Sequence, residues 1–112
     1  MNSLLDKQVI SALTHTIGIE SVTFASQAFE EEFNEFLQVS NTDLAQLAIQ
    51  AHSLKSSSRL LGAEAVSHLC QQLEKDAKSE QSNNIESLLT QIKNLQNPTL
   101  KELYKYLDSI KD

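Results

Sequence analysis

His52 lies in a segment whose residue types and spacing could support phosphoryl chemistry. If residues 42 to 61 form a helix, then His52, Lys55, Ser56 and Arg59 share a second face beside the apolar core stripe. A neutral imidazole is a competent nucleophile near pH 7. An ammonium group three residues further on would neutralise phosphoryl oxygens. The segment therefore predicts an exposed histidine that accepts a phosphoryl group, with Lys55 stabilising it.

Small and uncharged residues are expected around this histidine. Ser56 lies one helical turn after His52, where a small side chain leaves room for a partner to approach. One and two turns before His52, the same face carries Ala45, Ala48 and Ile49. We expect these three residues to form an uncharged docking strip for a partner protein.

The charge distribution also marks this face. The chain carries 9 basic and 15 acidic residues, a net charge of -6, which argues against a nucleic-acid partner because phosphate binding requires a basic surface. Lys7 is the only basic residue in the first 54 positions, so Lys55 and Arg59 are the first cations after a long acidic half. We expect this local positive charge beside His52 to have a function, with Arg59 contributing to partner binding.

Composition and missing motifs exclude several function classes. Two Gly and one Pro with 40% hydrophobic residues favour a compact helical domain over a sheet protein or a disordered tail. No apolar stretch approaches the roughly 18 residues of a membrane span, and no signal peptide is apparent, so we expect a cytoplasmic protein with no membrane association. Cys70 alone supplies no disulfide and no thiolate zinc site. Without a GxxxxGK motif, we expect no ATP-dependent kinase activity.

Apolar periodicity predicts an all-α fold in one domain, residues 1–112. The expected architecture is an antiparallel, up-down-up-down four-helix bundle with an extra N-terminal covering helix. The last helix is kinked or broken near Pro98, because the apolar spacing continues almost in register through it. Asn41 or Thr42 is expected to open the third helix, and Gly62 to end it. The predicted helices span residues 4–16, 20–38, 41 or 42 to 61, 63–79, and 85–110 as one helix or two.

The residues around His52 resemble a known family signature. Residues 51 to 63 read AHSLKSSSRLLGA, which is similar to the A-H-x-L-K-G-S-S-x-x-L-G-A signature of histidine phosphotransfer (HPt) domains. Residues 69 to 74, LCQQLE, resemble the C-x-x-L-E segment of that family, and residues 5 to 18 resemble its first helix. The resemblance covers about residues 4 to 95. It implies a four-helix bundle that passes phosphoryl groups between aspartates of receiver domains, with His52 as the carrier.

The same resemblance implies partners and a further site residue. Glu74 matches a position where family members carry Gln or Glu, which implies a hydrogen bond that orients the His52 ring. The implied partners are response-regulator receiver domains and an upstream hybrid sensor histidine kinase, and we expect a monomer. The implied Mg²⁺ belongs to the receiver, so no cofactor or metal of this chain's own is expected. Ser56 stands where the family most often has Gly, although some stand-alone members also have Ser there.

Two other functions are compatible with a small acidic helical chain. A degenerate HPt domain would be a non-catalytic interaction module that binds a signalling partner, but the presence of both His52 and Lys55 counts against it. An acyl carrier would need its Asp-Ser-Leu attachment site at the start of a helix in mid-chain, whereas Asp108-Ser109-Ile110 lies at the end. Met1 and the length favour a complete small protein over a piece of a hybrid kinase.

Overall fold

The computed structural model describes residues 3–79 and 82–111, and within these ranges it contains helices and no strands. The expected all-α fold is confirmed. A short 3-10 turn, Ser82–Asn84, precedes the last helix. The helices are α1 (Lys7–Ile17), α2 (Ile19–Phe36), α3 (Leu44–Leu60), α4 (Glu64–Lys78) and α5 (Ile85–Ile110).

Helices α2 to α5 form the expected bundle, and α1 covers one side of it. Each of the four packs against the next along the chain, and α5 returns to pack against α2, which closes the bundle. Short connections make consecutive helices antiparallel. The N-terminal α1 packs against α2 and α3. Large side chains from all five helices fill the core: Ile10, Val22, Phe29, Phe33, Phe36, Leu47, Leu54, Leu73, Ile92, Leu103 and Leu107.

The start of α3 differs from the sequence-based expectation. Asp43 caps the helix, since its carboxylate accepts a hydrogen bond from the backbone N–H of Gln46 at 3.1 Å. The expected caps, Asn41 and Thr42, lie in the preceding turn, where the Thr42 and Ser40 hydroxyls hydrogen-bond to each other at 2.8 Å. A hydroxyl engaged in the turn does not cap the helix, so the start lies at Leu44.

Gly62 ends α3 and anchors the N-terminal segment. Its φ of 81° lies in the left-handed region that favours glycine, as expected for a residue that follows a helix. A Cβ atom here would lie 2.6 Å from the backbone oxygen of Asp6. Backbone hydrogen bonds from Asp6 N–H to the Gly62 carbonyl (2.7 Å) and from Ala65 N–H to the Ser3 carbonyl (2.9 Å) fasten residues 3–6 to the α3–α4 turn. We call this arrangement the N-terminal clasp.

Helix α5 continues through Pro98, so the single-helix alternative is the one observed. Proline in a helix interior removes a backbone donor and costs about 3 kcal/mol. Leu88 and Ile92 before it and Leu100 and Leu103 after it are all buried, and their burial offsets that cost. Although α5 has 26 residues, neither it nor any other helix in the described ranges has the length and apolar character needed to cross a membrane.

Candidate functional site

His52 lies on α3 at the boundary between the bundle core and solvent. Its neighbours Ala51 and Leu54 are fully buried, which fixes the helix face from which the imidazole projects. The His52 side chain is 62% exposed. Its Nδ1 atom lies 2.9 Å from Oε2 of Glu74 on α4. The ring is thus held at one nitrogen and open to solvent elsewhere.

The buried carboxylate of Glu74 accepts hydrogen bonds from three nitrogen donors. Lys55 Nζ lies 2.8 Å from its Oε1, while Lys78 Nζ and His52 Nδ1 each lie 2.9 Å from its Oε2. Hydrogen bonds from the Lys55 and then the Lys78 ammonium lower the pKa of Glu74 from 4.5 to about 2, against the opposing effect of its burial. Glu74 is therefore an anion throughout the physiological pH range.

The Glu74 carboxylate determines the tautomer of neutral His52. An ionised carboxylate only accepts hydrogen bonds, so Nδ1 of His52 must be the protonated nitrogen that donates to it. The lone pair of the neutral ring then lies on Nε2, the nitrogen that a second molecule can reach. This contact between α3 and α4 is the hydrogen bond that the family resemblance implied for Glu74.

Lys55 is less exposed than expected for a cation that faces a partner, whereas Ser56 lies at the surface one turn after His52, as expected. The Lys55 side chain is only 19% exposed and is bound to Glu74, so it is less open to solvent than a surface cation would be. Its backbone carbonyl accepts a hydrogen bond from Ser67 on α4 at 3.1 Å. Ser56 is exposed, and its hydroxyl donates to the His52 backbone carbonyl at 3.2 Å rather than to the ring.

The expected docking strip is only partly at the surface. Ala45 and Ile49 are exposed, with Ile49 at 63%, but Ala48 is buried, with only 7% of its surface exposed. The expectation that all three residues present a docking surface is therefore wrong for Ala48. A cavity of about 260 Å³ lies beside the imidazole, between the start of α3 and the end of α4. Its lining residues are Ala48, Ile49, His52, Glu74 and Lys78.

Arg59 is exposed but lies away from the Glu74 cluster. It lines a separate cavity of about 230 Å³, which includes Asp6 and Val9 from the N-terminal region and His68 from α4. His15 and His68 are exposed, as expected for surface histidines. The structure thus brings His52, Lys55 and Glu74 together and leaves Arg59 two turns further along α3.

Two residues with direct contacts near the site were missed by the sequence analysis. Lys78 shares Oε2 of Glu74 with His52, and its spacing of four residues after Glu74 on one helix was an available signal. Glu32 on α2 accepts hydrogen bonds from the Ser53 and Ser57 hydroxyls of α3, the latter at 2.7 Å. Since Glu32 lies more than 20 residues away along the chain, no local spacing indicated this contact.

Cys70 takes no part in the Glu74 cluster. Cys70 is fully buried, and burial raises the pKa of its thiol to about 12, as suits a small core residue. In the part of the chain that the structure describes, no group of three His, Cys, Asp or Glu residues is placed to hold a metal ion.

Comparisons with known proteins agree with this architecture. A family model described as "Hpt domain" matches residues 25–108. Among solved structures, the chain is similar to histidine-containing phosphotransfer protein B (HptB) from Pseudomonas aeruginosa PAO1, with a TM-score of 0.85 and 20% sequence identity. That match covers 99% of this chain and 100% of the other, and at this identity it shows a shared fold. No curated protein matches the chain.

Proposed function

The chain belongs to the Hpt domain family, and on this premise we propose that it is a phosphocarrier in which His52 takes a phosphoryl group from one receiver-domain aspartate and passes it to another. The observation that carries this proposal is the His52 ring, 62% exposed and hydrogen-bonded through Nδ1 to a buried carboxylate. A nucleophile for a partner's phosphoryl group must be both accessible and held in one orientation. His52 meets both requirements.

The proposed transfer step is an in-line displacement at phosphorus. The Nε2 lone pair of His52 forms the new P–N bond as the P–O bond to the receiver aspartate breaks, and the electron pair of that bond leaves with the carboxylate. The Nδ1 proton stays on the ring throughout, donated to Glu74 at 2.9 Å. When the phosphoryl group moves on to a second receiver, the P–N pair returns to Nε2. The departing group is then a neutral imidazole, which leaves more readily than an imidazolate.

Lys55 and Glu74 have distinct proposed roles around this step. Glu74 positions the ring and keeps the proton on Nδ1, as carboxylates do for ligating histidines in metal sites. Lys55, on the other oxygen of Glu74, places positive charge close to the reacting centre, where it stabilises the phosphoryl oxygens. Ser56 contributes only its small size, since its hydroxyl is engaged with the backbone.

The proposed partners are those that membership of the Hpt domain family implies. A receiver domain supplies the aspartate and its Mg²⁺, so this chain provides the nucleophile and no kinase activity of its own. We propose that one of these receivers belongs to an upstream hybrid sensor histidine kinase and another to a response regulator, and that the chain acts as a cytoplasmic monomer. Ala45 and Ile49 would contact apolar surface beside the receiver's acidic pocket, and Arg59 would approach its rim.

Phosphoramidate, a small-molecule phosphoryl donor, tests the carrier residue without a partner. Treatment should give one acid-labile, base-stable phosphoryl group per chain on His52, and a receiver domain added afterwards should remove it. The matched controls are His15→Gln and His68→Gln, two exposed positions, which should label like the wild type because both variants keep His52 and its contact with Glu74. A chain that binds a receiver but is never labelled would be the non-catalytic interaction module instead.

A further inference from the structure

Lys78 lies as close to the Glu74 carboxylate as Lys55, the lysine of the HPt signature, does. Its Nζ and Nδ1 of His52 both contact Oε2 of Glu74, each at 2.9 Å, so the two nitrogens lie within two hydrogen-bond lengths of each other. Lys78 comes from the last turn of α4 and reaches His52 from the side of the cavity that Ala48 and Ile49 line. The carboxylate that holds the imidazole therefore also holds two ammonium groups, one on each of its oxygens.

The two lysines differ sharply in how firmly they are held. Lys55 is 19% exposed, whereas Lys78 is 65% exposed. Lys78 also pairs with Glu74 across a single helical turn, and holding its mostly exposed side chain on the buried carboxylate costs side-chain entropy. Releasing Lys78 from Glu74 is thus less costly than releasing Lys55, whose departure would leave the buried carboxylate without the donor on its other oxygen.

We propose that Lys78 is a second phosphoryl-binding cation: its ammonium leaves Oε2 of Glu74 and binds a phosphoryl oxygen when the group is on Nε2 of His52. This inference rests on the proposed function, because it needs His52 as the carrier. Lys55 stays on Oε1 and holds Glu74 in place, and Oε2 continues to accept the hydrogen bond from Nδ1–H of His52. The roughly 260 Å³ cavity beside the ring provides the space through which the Lys78 side chain moves.

The electrostatic balance of the site favours this movement. In the resting state the two ammonium groups outweigh the single Glu74 carboxylate by one positive charge. A phosphoryl group on Nε2 brings about two negative charges close to that cluster. Lys78 is exposed, and the Glu74 carboxylate keeps two other donors when Lys78 leaves. The Lys78 ammonium is therefore stabilised more by the phosphoryl oxygens than by Glu74.

The test compares Lys78→Met with Lys75→Met. Both lysines lie in the last turn of α4 and Lys75 is also exposed, but Lys75 lines a polar groove with Gln72 and Asn84, away from His52. Each variant is labelled with phosphoramidate, whose P–N bond breaks as ammonia leaves and Nε2 takes the phosphoryl group. We expect Lys78→Met to slow labelling about fivefold, Lys75→Met to label like the wild type, and Lys78→Arg to recover most of the rate.

Two further measurements separate direct contact from action through Glu74. The ³¹P chemical shift of the phosphohistidine should change in Lys78→Met and not in Lys75→Met. In a Glu74→Gln background, Lys78→Met should still slow labelling if the ammonium contacts the phosphoryl group, and should have no further effect if it only held the carboxylate.

Equal rates and equal ³¹P shifts for Lys78→Met and Lys75→Met would overturn this inference while His52 labelling stands. No label on His52 in the wild-type chain would overturn the proposed function and this inference together.

Discussion

Helix α3 is held by one carboxylate on each of two neighbouring helices, and the two carboxylates have different kinds of partner. On the α2 side, Glu32 is half-buried and accepts from the hydroxyls of Ser53 and Ser57. On the α4 side, Glu74 is buried and accepts from an imidazole and two ammonium groups. Both contacts fasten α3 across the bundle, but only in the second are the partners of the carboxylate themselves groups that can take or lose a proton.

Because their partners differ, we assign Glu32 a structural role and Glu74 a chemical one. Serine hydroxyls stay neutral at any pH the protein meets, so the Glu32 contact supplies hydrogen bonds and nothing that reacts. The Glu74 contact fixes a tautomer and concentrates charge beside an exposed ring. We therefore expect substitutions at Glu74 to change phosphoryl transfer, and substitutions at Glu32 to change stability alone.

The largest expected effect comes from His52→Gln, which should abolish labelling by phosphoramidate and by a phosphorylated receiver domain. Glutamine has no nucleophilic nitrogen lone pair, so no phosphoramidate-type adduct can form. Because the side chain is mostly exposed, thermal unfolding should stay within a degree or two of the wild type. Label that persisted in this variant would show that a residue other than His52 is the carrier.

Glu74→Gln and Glu32→Gln test the contrast between the two carboxylates directly. Glutamine at position 74 still accepts a hydrogen bond but loses the charge that holds Nδ1 protonated, so labelling of His52 should slow about tenfold to a hundredfold. The same change at position 32 should leave the labelling rate unchanged. Equal slowing in both variants would mean that the placement of α3, and not the charge on Glu74, limits the reaction.

Glu32→Ala tests the structural side of the contrast. Removing the acceptor of the Ser53 and Ser57 hydroxyls should lower the free energy of unfolding by about 1 to 2 kcal/mol, measured by urea denaturation. The rate of labelling by phosphoramidate, measured where the variant is fully folded, should match the wild type. A stable variant with impaired labelling would reverse the role we assign to Glu32.

Ile49→Glu extends the comparison from the site to its surroundings. Ile49 is 63% exposed beside the His52 cavity, so a carboxylate there should slow exchange with a receiver about tenfold by meeting apolar surface and an acidic rim. Labelling by phosphoramidate should change little. Phe24→Glu is the matched control, because Phe24 is 73% exposed on α2 and lines a different cavity. Equal exchange rates for the two variants would place docking elsewhere.

The smallest expected effect is on acid stability. The pKa of Glu74 is lowered to about 2 in the folded chain from 4.5, so its contribution is fully present above pH 4.5 and is lost as the pH falls towards 2. The free energy of unfolding of the wild type should therefore fall more steeply over this range than that of Glu74→Gln. Parallel curves for the two proteins in urea titrations would show that the lysines do not hold the carboxylate as described.

Apolar spacing was sufficient to predict most of the fold, because each helix buries a continuous stripe. The stripe of Phe29, Phe33 and Phe36 is fully buried, as its spacing indicates. The cap at Asp43 was missed because three hydroxyl and amide side chains precede it, and the sequence does not show that Ser40 and Thr42 bond to each other instead. Competition between turn and cap is decided by backbone geometry that composition does not encode.

The site was less predictable, because it depends on how two helices meet. A helical projection of α3 places His52 and Lys55 on one face, but the depth of Lys55 and the burial of Ala48 depend on how closely α4 packs there. The resemblance to a family implied Glu74, and only the structure shows that its carboxylate has three donors. The role of Glu32 depends on a contact between α2 and α3, which the spacing of residues along the chain does not reveal.

The N-terminal clasp predicts the order in which parts of the chain fold. Asp6 and Gly62 are more than twice as far apart along the chain as His52 and Glu74, so closing the clasp carries the larger loop entropy. The α3–α4 hairpin forms from contacts nearer in sequence, and we expect it in the folding transition state before residues 3–6 dock. Asp6→Pro, which removes the backbone N–H that donates to the Gly62 carbonyl and lies outside the hairpin, should then speed unfolding and leave the refolding rate almost unchanged in stopped-flow measurements. The contact between His52 and Glu74 would thus form early, and the clasp would govern how long the chain stays folded.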